Sequence, residues 1–233
     1  MASVHHFSPE LFNFLSELSV HNNRDWFQKN KQRYEAQVRD PLLRFIADLG
    51  PGLRRINPHI VADPSPVRGS MMRIYRDIRF SKDKSPYKTH VAAHFWHENG
   101  KQEDTPAFYL RLEPGGSLIG AGIWHPEPRA LKKIRDAIVA DPKRWRRVSS
   151  AEQLGAECGM AGESLRRPPR GYDPNHPQIE DIKRQDFTVG RSLADREVIR
   201  RDFLDITLDA YRQTAPFIAF LSAAVGPSEC IPE

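Results

Sequence analysis

The sequence predicts an α+β fold, a central antiparallel β-meander sheet packed against N-terminal and C-terminal helices. Three observations carry this reading. Apolar residues recur at helical spacing in Leu11, Phe14, Leu15 and Leu18, and again from Tyr34 to Leu49. Between residues 89 and 124 the spacing shortens to alternation, cut by Asn99-Gly100 and Pro114-Gly115-Gly116. Helical spacing then returns from Pro126 onward. Strands joined by short turns pair antiparallel, and four or more are expected here. All 233 residues are read as one domain, with an irregular arm over about 149–175.

The first helix opens at Ser8-Pro9-Glu10, a hydroxyl cap followed by proline and an acid at the positive end. Asn22-Asn23 ends it, and Asn23 caps a second short helix carrying Trp26 and Phe27. Capping and core packing account for this motif; the competing use is ligand contact through Asn22, Arg24 and Trp26. Tyr34, Val38, Leu42, Phe45, Ile46 and Leu49 extend a third helix, interrupted at Pro41 and expected to stop at Gly50-Pro51-Gly52. A short strand is expected over His59 to Ala62, then a proline-rich loop to Gly69.

Thr89 to His97, Ala107 to Glu113 and Ser117 to Trp124 read as the meander. Asn99-Gly100 is a hairpin signal, because both turn positions tolerate positive φ. Gly120 and Gly122 lie on one face, where another element can approach the backbone. A helix follows from Pro126-Glu127-Pro128 to about Ala140, and Ser149 to Tyr172 looks irregular. A short helix over His176 to Gln185 and a strand over Phe187 to Val189 come next. Asp195 caps a helix through Arg212, and Pro216 starts an apolar tail helix to Val225.

Chemistry concentrates between Arg73 and Lys88. The segment reads as a strand running into a charged turn, with six basic residues, two acidic ones and a local charge of +4, against +5 for the whole chain. At period two, Met72, Ile74, Ile78 and Phe80 share one face with Arg76, while Arg73, Tyr75, Asp77 and Arg79 share the other. Asp77 is expected to neutralise and orient Arg73 and Arg79. With Lys82, Lys84, Tyr87 and Lys88 in and beyond the turn, the segment supplies the donors that a phosphate or carboxylate needs. The plainer reading is an edge strand kept soluble by charge. The candidate ligand-binding residues are therefore Arg73, Tyr75, Arg76, Asp77, Arg79, Lys82, Lys84, Tyr87 and Lys88, with Arg and Lys holding an anion and the tyrosines orienting it.

The run Arg73-Ile74-Tyr75-Arg76-Asp77-Ile78-Arg79-Phe80-Ser81-Lys82-Asp83-Lys84-Ser85-Pro86-Tyr87-Lys88 resembles the signature of a widespread microbial family of conserved hypothetical proteins, a domain-of-unknown-function family. Asn22-Asn23-Arg24-Asp25-Trp26-Phe27 with Asn30 and Tyr34, Gly120-Ala121-Gly122-Ile123-Trp124, and Arg167-Pro168-Pro169-Arg170-Gly171-Tyr172-Asp173 are similar to its other motifs. Gly120-Ala121-Gly122 stands where a glycine-richer run is expected. The resemblance implies a single domain and brings no activity with it.

The totals narrow the classes. Hydrophobic content of 39% and charged content of 28% fit a water-soluble globular chain. A mean hydropathy of −0.60 argues against a membrane partner. No secretory signal is read at the N-terminus. Cys158 and Cys230 form no metal-type pair, which points to the reducing cytoplasm. There is no phosphate loop, dinucleotide fingerprint, nucleophile elbow or zinc helix, so no cofactor is expected. His90 and His94 share a strand face and would ligate a metal only if His125 or Glu113 joined them; the expectation is no metal. A second basic stretch, Arg129 to Arg147, carries +6 from eight basic and two acidic residues. Three functions follow: a pocket for a phosphorylated or carboxylated small molecule, with or without catalysis; a nucleic-acid-binding surface using both basic stretches; or an interaction protein whose signature is a buried polar network.

Overall fold

The computed structural model describes residues 5–98 and 104–226. Five helical segments come first. They are α1 (Pro9–Val20), α2 (Arg24–Lys29), α3 (Lys31–Tyr34), a π turn (Glu35–Arg39) and α4 (Asp40–Ile56). The π turn sits directly before Pro41, which lies in the first turn of α4, so the expected interruption is a local widening of the helix. α4 does not stop at Gly50. It runs through Gly50-Pro51-Gly52 to Ile56, and both glycines are buried. A Cβ on Gly52 would lie 2.5 Å from Leu208, so this glycine admits a neighbouring helix rather than ending its own.

The sheet has six strands, all antiparallel: β1 (Ile60–Val61), β2 (Val91–His97), β3 (Ala107–Leu112), β4 (Ser117–Ile123), β5 (Cys158–Ala161) and β6 (Phe187–Leu193). Their order is β1-β2-β3-β4-β6-β5. The three central strands are the expected meander, and the Asn99-Gly100 turn falls outside the described residues. β5 lies inside the stretch that read as irregular, and β6 is longer than Phe187 to Val189. Between β4 and β5 run α5 (Pro128–Ala140), α6 (Pro142–Val148) and α7 (Ala151–Leu154); α8 (Ile179–Ile182) precedes β6 and is shorter than the expected helix.

The helix expected from Asp195 to Arg212 is broken after one turn, its cap is Ala194 with Asp195 as the first helical residue, and its second part is continuous with the expected tail helix. α9 (Asp195–Val198) is a single turn, and α10 (Phe203–Val225) carries Pro216 in its interior instead of starting there. α10 crosses the core face of the sheet, where Tyr211 packs 4.6 Å from Phe108 and donates its hydroxyl to the Tyr109 carbonyl at 3.0 Å. That face is built from Val91, Ala93, Phe95, Phe108, Leu110, Leu112, Ile119, Ala121 and Val189, all buried. Gly122 has φ +133°, and a Cβ there would meet the Phe187 carbonyl oxygen at 2.1 Å, so glycine is required for β6 to close against β4. Among the described residues no helix is long and apolar enough to cross a membrane.

Candidate functional site

Residues 73–88 do not form a strand. They form an irregular two-legged arm beside β2, tied only by isolated bridges at Met71–Ala93 and Tyr75–Tyr87. The Lys88 amide donates to the Ile74 carbonyl at 2.8 Å, and the Arg76 amide to the Pro86 carbonyl at 2.9 Å. Beyond them local side-chain bonds replace the ladder. Asp77 accepts the amide and guanidinium of Arg79, Asp83 accepts the amide and hydroxyl of Ser85, and Lys84 Nζ donates to the Ile78 carbonyl at 2.9 Å. The expected apolar face is also split, since Ile74 is buried while Met72 and Phe80 are exposed.

The base of the arm is locked to the N-terminal helices. Asn22 makes a two-way bond to the backbone of Tyr87: its Nδ2 donates to the carbonyl at 2.9 Å and its Oδ1 accepts the amide at 3.0 Å. Asn23 caps α2 by accepting the Trp26 amide at 2.9 Å. The Phe27 ring stacks on Tyr87 at 4.1 Å, Tyr75 tilts against Tyr87 at 5.3 Å, and Tyr34 packs on Phe27 at 5.2 Å. Two motifs about fifty residues apart are thus one packed unit. Burial pushes the Tyr34 and Tyr87 phenols up, so both stay neutral.

Between α2 and the arm lies a cleft of about 290 Å³, lined by Arg24, Gln28, Tyr75, Arg76, Ile78, Pro86 and Tyr87. Arg24 and Gln28 are four residues apart on α2 and so share its face. Arg76 comes from the arm, steadied by ion pairing with Asp83 and a 3.4 Å contact to Ser81. Arg24 has no ion-pair partner among the described residues. The cleft therefore sets two guanidinium groups, a carboxamide and a half-exposed phenol around an apolar floor. Its volume is at the small end for ligand sites, which suits a compact metabolite.

Of the nine residues singled out in the sequence, Tyr75, Arg76 and Tyr87 line this cleft. The other six lie outside it. Asp77 and Arg79 pair with each other, and Lys84 is tied to the arm's own backbone. Arg73 and Lys82 are exposed. Lys88 is half-buried at the base, where burial and then the Arg73 charge push its pKa down. Arg79, and more weakly Arg73, hold the Asp77 carboxyl below its usual range; Ser85 and Arg76 do the same for Asp83. Arg24 and Gln28 were not among the nine. Their signal was the four-residue spacing behind the Asn23 cap.

A larger cavity of about 470 Å³ lies between β4, β5 and α10, lined in part by Ile119, Cys158, Arg191, Ile206, Asp209 and Gln213. Its cation is already spoken for, because Arg191 bonds Glu157 at 2.5 Å and Glu197 at 2.8 Å. The described residues contain no group of three His, Cys, Asp or Glu side chains able to hold a metal.

The fold and the two interlocked motifs define an α+β protein with one sheet and a small cleft between α2 and the arm. The chain belongs to a family of conserved hypothetical proteins, DUF2461, whose family model matches residues 10–220. A search of curated proteins finds no match.

Proposed function

We propose that this protein binds a small phosphorylated or carboxylated molecule in the cleft between α2 and the arm. One observation carries the reading: Arg24, unpaired among the described residues, and Arg76 meet across an apolar floor assembled from two separate motifs. A purely structural role accounts for the Asn22 bond and the Phe27–Tyr87 stack, but not for an Arg24 in the lining with no ion-pair partner among the described residues. Arg24 and Arg76 hold the anion, Gln28 and Tyr75 orient it, and Ile78, Pro86 and Tyr87 pack its apolar part. Chemistry at this site would draw on electrostatic stabilisation by the guanidinium groups. Asp77 and Asp83 are held ionised by their partners and are poor proton donors at neutral pH. A reducing cytoplasm suits the half-buried Cys158 thiol, whose pKa burial pushes up.

The test is a thermal-stabilisation screen with phosphorylated and carboxylated metabolites, followed by titration of each hit. Arg24→Ala and Arg76→Ala should each weaken binding about ten- to a hundredfold, the worth of one charge-assisted bond. A folded Arg76→Ala protein that binds every hit as well as wild type overturns the proposal.

A further inference from the structure

Among the described residues seven large apolar side chains are exposed, and four of them lie between residues 67 and 80: Val67, Met72, Tyr75 and Phe80. Scattered exposed apolar groups are ordinary, but Tyr75 and Phe80 sit on the arm, and Phe80 lies outside the cleft lining where its exposure has no other account. Phe80 is the extreme case at 94% exposed. Its one ring partner among the described contacts is the neighbouring Arg79, whose guanidinium sits 5.8 Å from the ring centroid. The tip that carries it is shaped by its own bonds, Asp77 with Arg79, Asp83 with Ser85 and Arg76, and Lys84 with the Ile78 carbonyl. Those bonds hold Phe80 outward without help from the body of the protein.

We infer that the tip of the arm is a docking element for single-stranded nucleic acid, with Phe80 stacking on a base and Arg73, Lys82 and Lys84 meeting the phosphates. This goes beyond the cleft reading and does not need it. The charge is right, since Arg73 and Lys82 are exposed and have no ion-pair partner among the described residues. The geometry is right as well, because an almost fully exposed ring with cations beside it in the chain is a sequence-tolerant stacking platform. Phe80 lies two residues beyond Ile78, which lines the cleft, and is not itself in the lining. An anionic membrane fits less well. The Asp77–Arg79 pair adjoins Phe80 and Asp83 lies three residues on, so insertion would strip water from both carboxylates for the burial of one ring. The second basic stretch, on α5 and α6, packs against α10 near the opposite edge of the sheet and does not extend this surface.

Fluorescence anisotropy of the full chain with a labelled twelve-nucleotide poly-dT and a poly-rU of the same length tests this, over a salt series. Binding is expected at low salt, with log K falling about two to three units per log unit of salt, as for three to four phosphates on a single strand. Phe80→Ala should weaken it about tenfold, Phe80→Trp should restore it, and Lys82→Ala should lower the salt slope. Phe80 is solvent-exposed, so its variants keep the wild-type fold, which circular dichroism and thermal melting check. Small-anion binding in the cleft should be unchanged in Phe80→Ala, so failure here and failure of the cleft reading show separately. No binding at low salt, equal binding by Phe80→Ala, or Phe80-dependent binding to phosphatidylserine vesicles in place of oligonucleotides would each overturn the inference.

Discussion

Replacing Asn22 with Ala probes the joint on which the cleft depends. The Asn22 carboxamide satisfies both backbone groups of Tyr87, at 2.9 and 3.0 Å, under the stacked Phe27 ring. Tyr87 is 2% exposed, so water does not readily replace the lost partner. A stranded buried donor or acceptor costs about 1–3 kcal/mol, and two of them, with some local relaxation, come to about 2–4 kcal/mol. That is a large share of the ~5–15 kcal/mol typical of a folded domain. At about 2–4 °C per kcal/mol for a chain of this size, the melting temperature should fall by about 4–16 °C. Asn22→Asp should be worse than Asn22→Ala, because it keeps the acceptor for the amide but turns a second acceptor, with a negative charge, onto the Tyr87 carbonyl. Urea denaturation followed by far-ultraviolet circular dichroism measures both. An Asn22→Ala protein within about 0.5 kcal/mol of wild type, or an Asn22→Asp protein more stable than it, would refute the claim that this bond joins the two motifs.

Two further outcomes follow from buried groups elsewhere. Asp186 is fully buried and accepts the His125 amide at 2.8 Å and the Glu163 amide at 2.8 Å, with His125 Nδ1 3.0 Å away, so it ties the ends of β4 and β5 to the start of β6. Asp186→Ala should cost about 3 kcal/mol or more in urea denaturation, with Asp186→Asn intermediate. His90 is half-buried beside Arg111, Glu113 and Lys88; burial first, then the Arg111 charge, push its pKa down from 6.5 to about 4. Between those values the unfolded chain binds more protons, so His90 makes stability fall as pH drops from about 6.5 towards 4 and adds nothing above that window. Its imidazole proton resonance should titrate near 4, and His90→Gln should flatten the stability profile over the same range; a midpoint at the ordinary value would contradict the burial argument.

Where a residue's neighbours are its neighbours in sequence, the elements were readable. The meander showed itself because Phe108, Leu110 and Leu112 alternate against Tyr109 and Arg111 on one continuous strand. Three of the misreadings involve residues whose reason lies across the core. Gly50-Pro51-Gly52 looks like a helix stop, yet Gly52 makes room for Leu208 on α10, more than 150 residues away. Pro216 looks like a helix start, yet the packing of Phe217, Ile218, Phe220 and Leu221 carries α10 straight through it. β5 is four small or irregular residues that are strand-like only because β6 offers a free edge at Cys158–Arg191 to Ala161–Thr188.

The arm shows the same limit at the candidate site. Its alternation is real in the sequence, but Asp77 and Asp83 accept the amides of Arg79 and Ser85, the Ser85 hydroxyl donates to Asp83, and a strand with that many local bonds has no reason to pair. Once the arm is irregular, a single row of cations is no longer geometrically available, and the charges divide. Arg76 lines the cleft while paired with Asp83, and Arg24 supplies a second cation from α2; Arg73, Lys82 and Phe80 are exposed. The charge density of residues 73–88 was legible without coordinates. Its division between a cleft and a tip was not, because the helix that forms the other wall of the cleft is held to the arm by Asn22 and Phe27, whose closeness to Tyr87 no local pattern records.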